Sequence, residues 1–419
     1  FDGYIMQNTS VYNVLKYSLI AFPLAFAGIP IYLHAPDYYS ANLGLEIEII
    51  GFSLLFLRIF DAVLDPLIGF ISDRYFSFRD KIIYLGSFLL ISGFWMIFHP
   101  VTANIITWFC LSVFICTLGF SILSINLQAF GGLWDIPRDK VTKIIATRES
   151  IGLIGLLISA VTPTALYLLF GEESFHVFSI FLLLILIITL ICFSSWHKSS
   201  EIKKPKKILK KGVFKIILKN KNVRLFYTSY LLSAFAASIP ATLIIFYVRD
   251  YLLAESFLGY FLVIYFASGA ISMPLWRFLS NRYTCHQAWL FSMALAMTSF
   301  IWAYFIQPQD ITGFFIICLF SGMSVGANLA LPSSIIAEYI YENNHEEYAA
   351  SYYSISNFLS KFSLAIAAGT ALPILGFMEY QPGTPRVDNL FPITYAVIPC
   401  IIQAIAIIFI FRLIKLKKI

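Results

Sequence analysis

Asp65-Pro-Leu-Ile-Gly-Phe-Ile-Ser-Asp-Arg-Tyr75 returns 208 residues later as Met273-Pro-Leu-Trp-Arg-Phe-Leu-Ser-Asn-Arg-Tyr283. Pro66, Ser72, Arg74 and Tyr75 recur as Pro274, Ser280, Arg282 and Tyr283. Ile29-Pro30 recurs as Ile239-Pro240 at almost the same offset, 210. Apolar sequence often looks alike by chance, but chance does not place the same Pro, Ser, Arg and Tyr at one spacing. The offset is close to half of the 419 residues. The chain therefore reads as two similar halves laid end to end.

Each copy of the repeat closes a long apolar run. A bilayer core needs about 20 apolar residues per helix. Twelve such runs can be placed, with centres near Pro23, Phe56, Leu90, Ser112, Leu157, Leu184, Ser233, Tyr265, Leu295, Leu319, Ser363 and Ile402. Phe175–Phe193, with no formal charge and no proline, is the clearest. The first run is too long for a signal-peptide core and is read as a retained helix. The chain opens on Phe1, so an upstream start is expected. Composition agrees with a membrane protein. Hydrophobic residues make up 59% and charged residues 12%, and the mean hydropathy is +0.81. An average soluble domain has about 25% charged residues, so a soluble enzyme, a nucleic-acid binder and a secreted scaffold are all disfavoured. The fold expected is an all-α membrane protein of twelve transmembrane helices in two pseudo-symmetric six-helix bundles. Residues 1–196 form the first bundle, 197–222 a basic linker, and 223–419 the second bundle.

The net charge of +6 is informative through its placement. With the N-terminus inside, 25 of the 29 Lys and Arg residues fall on the inner side. Arg249 and Arg386 fall outside, and Arg58 and Lys361 fall within spans. This bias puts both termini in the cytoplasm of a multi-pass inner (plasma) membrane protein. It also explains the basic segment His197–Asn222 without any nucleic-acid partner. Within that segment Ile208–Leu218 could form an amphipathic helix on anionic headgroups. Cys110, Cys116, Cys192, Cys285, Cys318 and Cys400 are scattered and form no CxxC, and the histidines form no HExxH. Neither a disulfide framework nor a metal cofactor site is expected.

Ionisable residues inside a span are costly, about 2.5–3.5 kcal/mol at the centre on insertion scales, and mark function. The second run carries Arg58, Asp61 and Asp65 on one helical face. Their counterparts in the second half are Phe266, Gly269 and Met273, so the charges belong to one half only. Two carboxylates one turn apart can bind Na⁺ with a hydroxyl, or share a proton. The alternative is a structural Arg58–Asp61 pair with Asp65 near the interface. Arg58 is assigned as that partner or as a gating residue. Gly69-x3-Asp73-Arg74 followed by Arg79-x-Lys81 suits a short loop in which a carboxylate and basic groups clamp helix ends, so Asp73 and Arg74 are assigned to gating. Glu338, Glu342, Glu346 and Glu347 are placed in an acidic loop after the tenth run, pairing with basic loops as a gate. Lys361 stands alone in the eleventh run. It either faces the cavity or snorkels to the interface. Arg148 and Glu149 open the fifth run, facing the cavity or forming an interfacial pair. Candidate cavity residues are Tyr32, Ser124, Asn126, Gln128, Arg148, Tyr265, Asn328, Tyr353, Asn357 and Lys361.

Leu57-Arg58-Ile59-Phe60-Asp61-Ala62-Val63-Leu64-Asp65-Pro66-Leu67-Ile68-Gly69 resembles the second-helix motif of melibiose-permease-like transporters. These are the glycoside–pentoside–hexuronide:cation symporters of the major facilitator superfamily. Tyr17-x3-Ala21-Phe22, Arg148 and Lys361 extend the resemblance along the chain. It implies that Asp61 and Asp65 are cation-site carboxylates, that Ser121 is a hydroxyl ligand, and that Arg148 and Lys361 line the cavity. The departures are in the sugar site. Where the family has sugar-binding aspartates this chain has Ala25 and Ser124, and Gln128 stands where the family has a tryptophan. Leu64 replaces an amide or hydroxyl beside the cation pair, which weakens the case for Na⁺ relative to H⁺.

The function expected is cation-coupled (H⁺ or Na⁺) symport of a small organic solute by alternating access, without enzymatic activity and as a monomer in the lipid bilayer. The cation site is Asp61, Asp65 and Ser121. The solute site is Ser124, Gln128, Arg148, Tyr353, Asn357 and Lys361. Two basic residues in the cavity suit an anionic or zwitterionic solute rather than a typical galactoside. The alternatives are a lipid or lysolipid carrier of the same superfamily, suggested by the greasy first helix, and a non-transporting scaffold or sensor.

Overall fold

Each of the twelve apolar runs coincides with a helix or a run of helical turns. We number them α1 (Val11–Ser40), α2 (Ile47–Arg74), α3 (Arg79–Phe98), α4 (Ile105–Leu133), α5 (Arg138–Phe170) and α6 (Ser174–Ser199). The second series is α7 (Lys221–Tyr251), α8 (Glu255–Arg282), α9 (Cys285–Phe300), α10 (Ile311–Glu342), α11 (Ala349–Phe377) and α12 (Ile393–Lys417). The computed structural model describes residues 10–101, 104–205, 212–377 and 390–417. Among the described residues, nine helices are long and apolar enough to cross a bilayer. The remaining three are α2, α9 and α11. α2 carries Glu48, Arg58, Asp61, Asp65, Asp73 and Arg74. α9 has 16 residues and continues only as the 3₁₀ turn Ile301–Tyr304. α11 carries Lys361 among a series of serines. The described residues contain no β-strand, and the one bridge joins Trp134 to Ile202.

Local chemistry sets the helix ends. The side chain of Ser10 accepts from Asn13 N at 3.3 Å and starts α1. Asn104 does the same for Thr107 N ahead of α4, and Thr284 for Gln287 N ahead of α9, each at 3.2 Å. Gly171, with φ +57°, ends α5 in a conformation that side-chain-bearing residues avoid. The first helix of each series contains a π-type stretch. Pro30 opens a π-type stretch, Pro30–His34, and α7 closes on another, Tyr247–Tyr251, after Pro240.

The chain divides into two compact units. One runs through Val213 and includes Ile336–Asn357, and the other comprises Phe214–Ile335 with Phe358–Ile419. In the first unit, α6 buries Phe178, Leu182, Leu186 and Phe193 on one face. Its opposite face exposes Leu184, Ile188 and Ile191. A helix apolar all round is built for lipid rather than water. α3 and α4 meet backbone to backbone. A Cβ on Gly93 would lie 2.3 Å from Cys116 N, and one on Gly119 would lie 2.2 Å from Leu90 N. Small residues allow such approach where no hydrophobic effect drives helix pairing. Gly119→Ala is therefore expected to cost about 1–3 kcal/mol by forcing the helices apart. Gly51→Ala, where a Cβ meets open space, should be neutral. Thermal unfolding of the two variants side by side checks this, and equal midpoints would refute the close approach.

The second unit packs around stacked Tyr247 and Tyr395, with ring centroids 3.9 Å apart. The Tyr247 hydroxyl donates to Ala303 O at 2.6 Å and ties α7 to the end of α9. In the segment between the series, Val213–Lys219 is helical. The first part of the amphipathic stretch expected over Ile208–Leu218 lies outside the described residues, as does Arg386.

Candidate functional site

Asp61 and Asp65 sit one turn apart on α2, 4% and 0% exposed. α4 packs beside them and supplies Ser121, whose Oγ donates to Asp61 Oδ1 at 2.8 Å. The hydroxyl implied by the resemblance is thus in direct contact with one carboxylate. Arg58 is placed differently from the ion pair considered as an alternative. Its guanidinium lies 4.2 Å from the centre of the Tyr32 ring on α1, and it makes no ion pair among the described residues. The helix face that carries Asp61 also carries Arg58, but the cation leans to the aromatic ring. Tyr32 is engaged in this contact.

Ser124 lies one turn below Ser121 on α4. Its Oγ accepts from Gln128 Nε2 at 3.4 Å and from Asn357 Nδ2 at 3.5 Å. These long, weak bonds join three of the expected solute ligands. The Gln128 Oε1 is sealed from solvent without a hydrogen-bond partner, which is a costly state for an amide oxygen. Tyr353 is buried, its hydroxyl edge wedged against α4, where a Cβ on Gly132 would come 2.6 Å from it. Arg148 is buried and committed within the protein. Its Nη1 donates to the Tyr17 hydroxyl at 3.2 Å, which donates onward to Leu127 O at 2.6 Å. Its Nε and Nη2 both donate to Glu149 Oε1, the former at 3.0 Å. Arg148 and Glu149 therefore form an ion pair, in which Arg148 is buried and Glu149 is partly exposed. Lys361 lies on α11 beyond Asn357, half-buried, in the second unit.

A second constellation occupies the far end of α2. The Asp73 carboxylate receives three charge-assisted or backbone hydrogen bonds. Arg79 Nη2 donates to Oδ1 at 2.6 Å, Ala350 N to Oδ1 at 2.9 Å and Ser351 N to Oδ2 at 2.8 Å. α11 begins at Ala349, so the two amides belong to its first turn, where N–H groups lack helical partners. The carboxylate thus caps α11 and meets the positive end of its dipole. Arg79 Nε also donates to Ser72 Oγ at 3.1 Å, and Ser72 donates to Asn126 Oδ1. One turn earlier, Gly69 lets α11 approach, since a Cβ there would lie 2.3 Å from Ser354 Oγ.

This clamp corrects three sequence assignments. Arg74 is exposed and makes no ion pair among the described residues, because the helix ends there and directs it outward. The basic member is Arg79, which the 3₁₀ turn Phe76–Phe78 swings back over Asp73. Asn126 is engaged at the clamp, where its Oδ1 accepts from Ser72 and its Nδ2 donates to Ile122 O at 2.7 Å. Glu338 and Glu342 stand on the last turns of α10 rather than in a loop, since Pro332 is accommodated inside the helix without ending it. The basic segment does approach this region. Lys203 packs over the Tyr341 ring at 4.5 Å and pairs with Asp135 at 3.4 Å.

In the second unit, Tyr265 and Asn328 line a cavity of about 210 Å³. Asn328 Oδ1 accepts from Trp289 Nε1 at 2.8 Å. Among the described residues, no Asp, Glu, Lys, Arg or His side chain lines this cavity. Sequence reading missed it as a unit, because its apolar lining looks like any lipid-facing helix.

Residues 16–418 match the family described as MFS/sugar transport protein. The structure is similar to that of a bacterial homologue of the iron transporter ferroportin in the outward-facing state. The TM-score is 0.74, with 14% identity over 96% of this chain and 98% of that one. It is also similar to the major facilitator superfamily transporter FucP in the outward conformation, with TM-score 0.71 and 15% identity over 97% and 99% of the two chains. A second FucP structure, described as the E. coli fucose:proton symporter, gives TM-score 0.66 and 16% identity over 98% and 99%. At these identities the likeness is one of fold. No curated protein matches the chain.

Proposed function

The chain belongs to the MFS/sugar transport protein family, and from that membership we propose that it is a secondary active symporter coupling a small organic solute to H⁺ or Na⁺. Transport rather than enzymatic chemistry follows from the family. The coupling rests on one observation, the two buried carboxylates Asp61 and Asp65 in an apolar helix with the Ser121 hydroxyl 2.8 Å from the first. Buried carboxylates at this spacing take up a cation readily, because each charge raises the other's affinity for one. Leu64 offers no oxygen, which favours H⁺. The similarity to a protein described as a fucose:proton symporter points the same way.

The solute site in this reading is Ser124, Gln128, Asn357, Tyr353 and Arg148, with Lys361 from the same helix as Asn357. An anionic group on the solute would take Arg148 from Glu149, exchanging one carboxylate for another. Ion and solute together would permit the two six-helix halves, 1–196 and 223–419, to change access, and the ion alone would not. The protein works as a monomer in the inner (plasma) membrane, with its termini and the basic linker in the cytoplasm. The uncharged cavity of the second unit favours one other reading, a carrier of amphiphiles.

A thermal-shift screen of small solutes on the purified protein, with and without Na⁺ and at two pH values, tests the reading. Ligand stabilisation follows mass action, so a hit identifies solute and ion together. Stabilisation by solute that ignores both Na⁺ and pH would contradict coupling. Melibiose is expected to give no saturable heat in a calorimetric titration. The family's sugar-binding aspartates stand here as Ala25, which has no side-chain acceptor, and Ser124, whose single neutral oxygen replaces a charged two-oxygen acceptor. Tight melibiose binding would overturn that assignment.

A further inference from the structure

The cavity of the second unit has walls of a definite kind. Six rings, Phe261, Tyr265, Phe266, Phe300, Phe314 and Tyr395, line it. Each touches another ring, Phe266 meeting Tyr265 at 5.1 Å. Tyr395 is stacked on Tyr247, Phe300 lies 5.1 Å from Tyr395, and Phe261 meets Phe314 edge-on at 4.7 Å. Rings packed in this way form a shaped wall rather than a pliable one. One amide interrupts them. Gln403 of α12 lines the cavity, is 4% exposed, and its Nε2 makes no hydrogen bond within the protein. An orphaned buried amide is destabilising by itself and is made good when a ligand atom meets it.

The dimensions and charge narrow the occupant. Cavities for whole drug-sized ligands run about 300–1,000 Å³, so 210 Å³ takes part of a molecule. With no charged side chain in the lining among the described residues, an ionised group would enter at a large desolvation cost. We propose that this cavity is the binding site for an uncharged, ring-bearing group of the transported solute, carrying one hydrogen-bonding atom that meets the Gln403 amide. The assignment to the solute rests on the transport reading, whereas the binding of such a group does not.

The test uses the full chain in detergent and ¹⁹F NMR of three probes, 4-fluorobenzyl alcohol, 4-fluorotoluene and 4-fluorobenzoate. The alcohol should show saturable line broadening, with the benzoate at least about tenfold weaker because its charge cannot be desolvated there. Ala237 lines the cavity and has space before it. Ala237→Phe should remove the broadening of both neutral probes. Gln403→Leu should weaken the alcohol about tenfold and leave fluorotoluene unchanged, since only the hydrogen bond is lost. Equal binding of the benzoate, or broadening that persists in Ala237→Phe, would overturn the proposal. So would equal weakening of both neutral probes by Gln403→Leu. No ion gradient enters the measurement, so its failure removes the cavity assignment and leaves cation coupling to be judged by transport.

Discussion

In proteoliposomes carrying Asp65→Asn protein, solute accumulation falls to the equilibrium ratio while exchange of labelled for unlabelled solute continues. One charge moved through about 100 mV supplies about 2.3 kcal/mol, enough for about fiftyfold accumulation. That is the size of the expected loss. Asparagine keeps the shape of aspartate and its place at the centre of the bundle, so packing around position 65 is preserved. It can neither take up a proton nor neutralise Na⁺, so the ion no longer decides which loaded states change access. Asp61→Asn should act in the same direction but more weakly, since Ser121 already hydrogen-bonds that carboxylate. Ser121→Ala should retain accumulation with a lower apparent ion affinity of about tenfold, the value of a hydrogen bond to a charged group. Full accumulation by both aspartate variants would remove the coupling claim altogether.

The prominence of Asp61 and Asp65 in the sequence has a physical cause. Charges are so expensive in a membrane helix that the few retained stand out against an apolar background. The repeat was legible for a related reason, because Pro, Ser, Arg and Tyr are rare enough in such helices for their spacing to carry information. Contacts made by the ends of these side chains were not legible. Arg58, Arg74 and Arg79 all lie near aspartates in the sequence, yet only Arg79 pairs with one. Its position depends on a three-residue turn, Phe76–Phe78, that sets where α3 begins. Asn126 looked like a solute ligand because it lies between Ser124 and Gln128, but a step of two residues turns it to another helix face. The cavity of the second unit was hidden most completely. Phe261, Phe314 and Tyr395 facing a void have the same sequence signature as aromatic residues facing lipid or one another.

Asp73→Ala is expected to destabilise the protein by about 3–5 kcal/mol, the usual cost of breaking a buried ion pair by removing one member. The cost has two sources. Arg79, 1% exposed, would keep its charge in a buried place with no carboxylate, beside Ser72 and the Phe76 ring. The Ala350 and Ser351 amides would lose their acceptors at the first turn of α11. Replacing both charged partners, as Asp73→Ala with Arg79→Met, should recover a large part of the loss, because the stranded charge goes as well. Arg74→Ala is the decisive control. Exposed and outside the clamp, it should change stability by no more than about 0.5 kcal/mol, although the repeat conserves it as Arg282 and the motif places it beside Asp73. Thermal unfolding of the three variants separates the cases. A loss in Arg74→Ala as large as that in Asp73→Ala would mean that the clamp runs through the wrong arginine. The clamp also bears on transport, because any access change that parts the end of α2 from the start of α11 must break these bonds. Their removal should then shift the resting population toward the state in which they are already broken, by a factor of about one hundred or more. Accessibility to a thiol reagent of a cysteine placed at Ser354, which faces Gly69 across that contact, reads the shift directly. Faster labelling in Asp73→Ala than in the Arg74→Ala control is the expected result.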